Sequence, residues 1–138
     1  MAEDKGAIFA CRPILFVVDP DASIRFYRDV LGFRIALRWS DRLQRFLKDD
    51  SDGPTDFAVV ARDKVQFMLQ RGSDSTGTWL HLDVNTADQL DALHEEWVSR
   101  GAAIAEPPAL RPWGMYEMKL RDLDDNTFRV SAPPRDEG

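Results

Sequence analysis

The chain is predicted to be an α+β domain built from two βαβββ modules, roughly residues 8–72 and 73–134 of its 138 residues. Two observations predict this. Each half reads as a strand, a helix and then further strands, with the hydrophobic period switching between two and about 3.6. The punctuation also recurs. Asp19 and Asn85 each stand between a strand and a helix, and Arg62-Asp63 and Arg121-Asp122 each close a strand.

The elements follow in order. "RPILFVVD" (12–19) is the first strand. "DASIRFYRDVLGF" (21–33) has helical spacing through Phe26, Tyr27, Val30 and Leu31. Asp21 or Ser23 can cap its start, and Gly32 can end it in the left-handed conformation. "FRIALRW" (33–39), "DFAVVARD" (56–63) and "VQFMLQ" (65–70) are extended segments, and "DSDGPTD" (50–56) is a loop.

The second half begins with the strand "TWLHLDV" (78–84). The helix "TADQLDALHEEWVSRGA" (86–102) puts Leu90, Leu93 and Trp97 on one face. Thr86 and Gln89 have capping-box spacing, so hydroxyl and amide satisfy each other's backbone N–H, and Gly101 closes the helix. "AAIAEPP" (102–108), "MYEMKL" (115–120) and "TFRVS" (127–131) complete the module. Residues 1–7 and 135–138 read as flexible termini around a single domain, 8–134.

On the strand at 79–84, Leu80, Leu82 and Val84 point one way, and Trp79, His81 and Asp83 point the other. The leucines should take the helix. The aromatic and polar stripe must then line a cavity or meet another subunit.

Composition narrows the partners. The net charge is −6, with Lys and Arg scattered along the chain. Nucleic acid needs clustered cations, so it is an unsuitable partner, whereas an acidic protein suits a cationic ligand. No apolar run is long enough to span a membrane, and "MAEDKG" is unlike a secretory signal, which makes a cytoplasmic protein the expectation. The single cysteine, Cys11, excludes an intrachain disulfide and is expected to be a buried, inert thiol at the head of the first strand.

"ILFVVDPDASIRFYRDVLGF" resembles the opening of the glyoxalase/bleomycin-resistance/dioxygenase (vicinal oxygen chelate) superfamily. "FAVVARDKVQFML" and "PWGMYEMKLRDLDDNTFRV" resemble its bleomycin-resistance branch, and the likeness runs from about residue 12 to 131. The resemblance implies paired βαβββ modules forming a curled mixed sheet with a cleft. It also implies a homodimer with clefts at the subunit interface, which sequesters the drug without altering it.

Enzymes of this superfamily hold a divalent metal with His and Glu from both modules. Matched motif to motif, those positions fall here on Arg12, Gln66, Trp79 and Arg129. Arginine has no lone pair to give, so this set cannot build such a site. His81 and His94 fall on a cleft-facing strand and a core-facing helix, so they cannot converge. "DLDDN" lacks the glycine and terminal Glu of a calcium loop and reads as a turn. No metal and no cofactor are expected. The alternative is a glyoxalase-like lyase or isomerase, or a dioxygenase, with an atypical site.

The expected ligand site combines aromatic rings with charges. Trp113 sits on a turn between Pro112 and Gly114, Trp79 takes the inward strand position, and Trp39 lies where the resembling proteins stack an aromatic on the drug. Such rings bind planar or cationic ligands. His81, Asp83, Met115 and Glu117 are the other candidates, and Arg12 and Arg129 enter through the family match, where they can pair with Asp83 or Glu117 or equally bind an anionic ligand.

Overall fold

The computed structural model describes residues 6–48, 53–72 and 77–136. The outermost ends of both predicted termini, the first part of the 50–56 loop and the 73–76 link between modules lie outside the described residues.

The first module runs β1 (Ile14–Val17), α1 (Pro20–Asp29), β2 (Arg34–Ser40), β3 (Arg45–Phe46), β4 (Phe57–Arg62) and β5 (Val65–Arg71). The second runs β6 (Trp79–Asp83), α2 (Ala87–Ser99), β7 (Ala103–Leu110), β8 (Tyr116–Arg121) and β9 (Thr127–Ala132). Each module keeps its own curled, open sheet, in the orders β1-β5-β4-β2-β3 and β6-β9-β8-β7. In each, the first strand runs parallel to the last and the remaining pairs are antiparallel, so the repeat read in the sequence is also a repeat of topology.

Local chemistry explains most boundaries. The capping box of Thr86 and Gln89 forms at the start of α2. α1 departs from expectation. Its cap is Asp19, whose carboxylate accepts from Ala22 N at 3.2 Å, and Pro20 follows, where its missing N–H costs nothing. Asp21 is claimed from afar by Thr55, whose backbone N–H and hydroxyl both donate to it (3.1 and 2.6 Å). Gly32 leaves the helix at φ 77°, and a Cβ there would stand 2.6 Å from the Arg62 guanidinium. The short β3 pairs with the end of β2, bringing Trp39 edge-on to Phe46 at 5.0 Å. β7 continues through Pro107 and Pro108 because it is an edge strand, where a missing N–H breaks no ladder. Cys11 is exposed, not buried, because it precedes β1 and does not head it.

One core serves both modules. Leu15, Tyr27, Phe67, Leu90, Met118 and Phe128 belong to the same buried cluster. The Phe67 and Phe128 rings stack at 5.6 Å, and Tyr27 meets both edge-on. Leu80 and Leu82 pack against this cluster while Trp79 is 63% exposed, which is the strand register expected from the alternation.

Polar contacts also tie the modules. Trp97 Nε1 and Arg62 both donate to the Leu31 carbonyl, and Arg62 makes a two-pronged ion pair with Glu96 (2.8 and 3.0 Å). The Arg62 hydrogen bond holds the Glu96 carboxyl below its ordinary value of 4.5. A lowered folded pKa adds stability above the unfolded value and loses it as pH falls through the folded one. The stability gap between wild type and Glu96→Gln, read from urea midpoints, should therefore be full near pH 7 and shrink once the pH falls below about 4.5. A gap independent of pH would show that the pair adds no charge-dependent stability.

The segment after β9 also makes side-chain contacts with the second module. Arg135, placed by the sequence in a flexible end, pairs with Asp88 and Asp91 and lies over the Tyr116 ring at 5.3 Å.

Candidate functional site

The second sheet buries one face and presents the other. Along β8 and β9, Met118, Leu120, Phe128 and Val130 enter the core, so by alternation Glu117, Lys119, Arg129 and Ser131 take the opposite face. Register sets these side chains in two adjacent rows. One row is Asp83, Ser131, Glu117, and the other is His81, Arg129, Lys119.

The turn before β8 supplies the rim. Gly114 takes φ 95° and donates its N–H to the Arg111 carbonyl at 2.9 Å, which leaves the Trp113 ring 60% exposed. The Arg111 guanidinium donates to the carbonyls of Pro107 and Glu117 (both 3.0 Å) and so pins the turn to the sheet. The result is an open hollow of about 350 Å³ lined by His81, Trp113, Met115, Glu117, Arg129 and Ser131.

Two features define its chemistry. Arg129 Nε can only donate, so His81 Nδ1 accepts from it at 3.2 Å, and His81 Nε2 carries the proton toward Asp83 at 3.0 Å. That chain engages both ring nitrogens of His81. Glu117 is only 3% exposed, a rare place for a carboxylate. Ser131 Oγ donates to its Oε2 at 3.0 Å, and Oε1 has no partner among the described residues.

The structure gathers His81, Trp113, Met115, Glu117 and Arg129 and leaves the other sequence candidates outside the hollow. Asp83 stands at its edge, 82% exposed, holding His81. Trp79 lies on the same sheet face with the Lys119 ammonium 5.3 Å over its ring. Trp39 belongs to the first sheet and donates to Asp41 at 2.9 Å. Arg12 lines a different hollow beside Phe9 and Met68, so the pairing of Arg12 with Asp83 or Glu117 does not occur within one chain. Arg129 contacts His81 instead of a carboxylate because β6 and β9 place the two side by side. The sequence reading missed Ser131 and Lys119. Both follow from the alternation that found Arg129 and Glu117, two residues away on the same strands.

A divalent metal does not fit. The positions that the resemblance matches to the family's metal ligands are Arg12, Gln66, Trp79 and Arg129, and among the described residues no group of three or more His, Cys, Asp or Glu is placed to hold an ion. The Asp-rich turn is spent on structure: Asp122 accepts from Tyr27, Asp124 N, Asn126 N and Asn126 Nδ2, and Asp124 accepts from Val18 N. Among the described residues no helix is long and apolar enough to cross a membrane.

Two βαβββ modules with open sheets, each carrying a helix on its inner face, define the paired-module class of α+β proteins. The sequence profile of the Glyoxalase/Bleomycin resistance protein/Dioxygenase superfamily matches residues 9–130, and the chain belongs to that superfamily. Among solved structures, it is similar to the bleomycin-binding protein from bleomycin-producing Streptomyces verticillus complexed with copper(II)-bleomycin. That likeness is 25% identity over 93% of this chain and 98% of the other, with a TM-score of 0.68. TioX from Micromonospora sp. ML1 shares the fold at 20% identity, 90% and 99% coverage and a TM-score of 0.70. A superfamily domain from Frankia sp. EAN1pec does so at 22% identity, 96% coverage of both chains and a TM-score of 0.69. Comparison with the curated proteins finds no match.

Proposed function

We propose that this protein is a metal-free binder of the bleomycin-resistance type. It holds an aromatic or cationic small molecule, with a bleomycin-family antibiotic as the named case, in clefts at a homodimer interface. The observation that carries the reading is the Trp113 ring, exposed on a pinned turn at the rim of a hollow with a buried carboxylate. A ring already held in place loses little entropy on stacking. The similarity to a structure containing copper(II)-bleomycin supports the ligand class. The hollow is open on one side, and the outer face of β1 exposes Ile14 and Phe16, with Val18, Ile8 and Phe9 beside them. Apolar surface of this kind supports a second copy as its cover.

Trp113→Ala should weaken bleomycin binding by about 1–3 kcal/mol, the range for a lost stacking surface, and leave the unfolding midpoint nearly unchanged. Calorimetric titration of both proteins tests this. Absence of binding to wild type at high micromolar drug overturns the antibiotic reading, and a variant that fails to fold overturns the stacking role. Stoichiometric zinc, nickel, manganese or iron in purified protein would overturn the metal-free reading and favour the enzymatic one.

A further inference from the structure

We infer that Glu117 is the selectivity element of the hollow, and that the group it takes is a planar N–H donor cation, an amidinium or guanidinium, carried by the aromatic ligand. The inference rests on the reading above, that an aromatic small molecule stacks on Trp113.

Burial is the first reason. A carboxylate in a protein interior is costly unless its lone pairs are filled. Glu117 is 3% exposed and faces the hollow, yet among the described residues the only donor to its carboxylate is Ser131 Oγ, on Oε2. Oε1 is buried without a partner. The carboxylate therefore still lacks most of the donors it can accept.

Geometry is the second reason. The contacts of the neighbouring cations go elsewhere: Arg111 to the Pro107 and Glu117 carbonyls, Lys119 to Glu106 and the Trp79 ring, and Arg129 through its Nε to His81. None of these three donates to the Glu117 carboxylate, which leaves a place for a donor carried by a ligand. A flat fork of N–H groups matches both carboxylate oxygens at once and is less strongly hydrated than an ammonium, so it enters a buried site at lower cost. Oε1 is closed to solvent, and the lining side chains able to yield are Met115, which is unbranched, and Trp113, which is 60% exposed. The hollow thus pairs a stacking ring with a charged fork acceptor.

Benzamidine and benzoate are the probes: the same ring, with an amidinium or a carboxylate. Titrations followed by NMR of the tryptophan indole signals and of the Glu117 side-chain carboxyl carbon should show benzamidine binding at least tenfold tighter than benzoate, with the Glu117 carbon shifting. Glu117→Gln, whose amide oxygen still accepts from Ser131, should lose tenfold or more in benzamidine affinity and none in benzoate affinity. Trp113→Ala should weaken both probes. If benzoate binds as tightly as benzamidine, or Glu117→Gln leaves benzamidine unchanged, Glu117 does not select and the inference fails while the stacking reading stands. If neither probe shifts the indole signals, both fail. Should the Gln variant not fold, the carboxyl-carbon titration on wild type decides alone: an unmoved signal overturns the inference.

Discussion

Asp122→Ala should cost about 3–5 kcal/mol of stability, among the largest losses any single change can cause in this protein. Asp122 is 7% exposed, and its two oxygens accept four hydrogen bonds. Three come from its own turn. The fourth is the Tyr27 hydroxyl at 2.6 Å, from a helix of the other module. Removing the carboxylate leaves a fully buried phenol and the buried Asn126 amides without acceptors, and each unsatisfied group costs about 1–3 kcal/mol. Tyr27→Phe removes only one donor and should cost less, about 1 kcal/mol. Burial first, and then the Asp122 charge, push the Tyr27 pKa well above its ordinary value of 10.0. The unfolded phenol therefore loses its proton before the folded one does, and wild-type stability should fall as pH rises through about 10. Tyr27→Phe should flatten that limb. Urea midpoints for both variants test the account, and a loss below about 1 kcal/mol for Asp122→Ala would show that the turn is not a seam between modules.

Phe128→Ala should be comparably damaging, at about 3–5 kcal/mol, because a buried ring leaves a cavity that its neighbours only partly fill. Phe128 is 2% exposed, stacked on Phe67 and edge-on to Tyr27, so a ring of the second module packs on two rings of the first. It also sits on β9 directly before Arg129 and three residues before Ser131, the two residues of that strand that line the hollow. The loss should thus reach the hollow: the variant's near-ultraviolet circular dichroism should weaken and its affinity for aromatic probes should fall along with stability. Phe46→Ala serves as the control, since that ring is 58% exposed and should cost about 1 kcal/mol or less. Equal losses at the two positions would mean the ring pair at the centre does not hold the modules together.

The two-module plan was legible because it is written in local periods. Helices at 20–29 and 87–99 and the main strands answer to spacing that repeats within a few residues, and Thr86 with Gln89 form a cap whose partners are one turn apart. The strand alternation at 79–83 was enough to separate His81 from Leu80 and Leu82, and with them the two faces of the second sheet. The Pro112-Trp113-Gly114 turn declared an exposed ring for the same reason, since its conformation depends on adjacent residues. Residue chemistry alone also set the expectation of no family-type metal site, because arginine at the matched positions 12 and 129 has no lone pair to give.

Tertiary structure decided whatever depends on distant partners. Asp19, Asp21 and Ser23 were all chemically able to cap α1, and the choice fell to Asp19 because Thr55 takes Asp21 and Asp124 takes the Ser23 hydroxyl. Arg129 could have met a carboxylate, and the parallel pairing of β6 with β9 gave it His81. Arg12 and Trp39 lie on the first module, whose sheet is separate from the one that forms the hollow, so a single chain does not bring them to it. The buried, half-satisfied state of Glu117 is the furthest from the sequence. It arises from Ser131 on the next strand and from the turn that closes over β8, and no local pattern encodes which oxygen of a carboxylate is left without a donor. Periodicity sets which face a side chain takes, whereas hydrogen-bond partners are set by strand register and module packing, which bring together residues far apart in the chain.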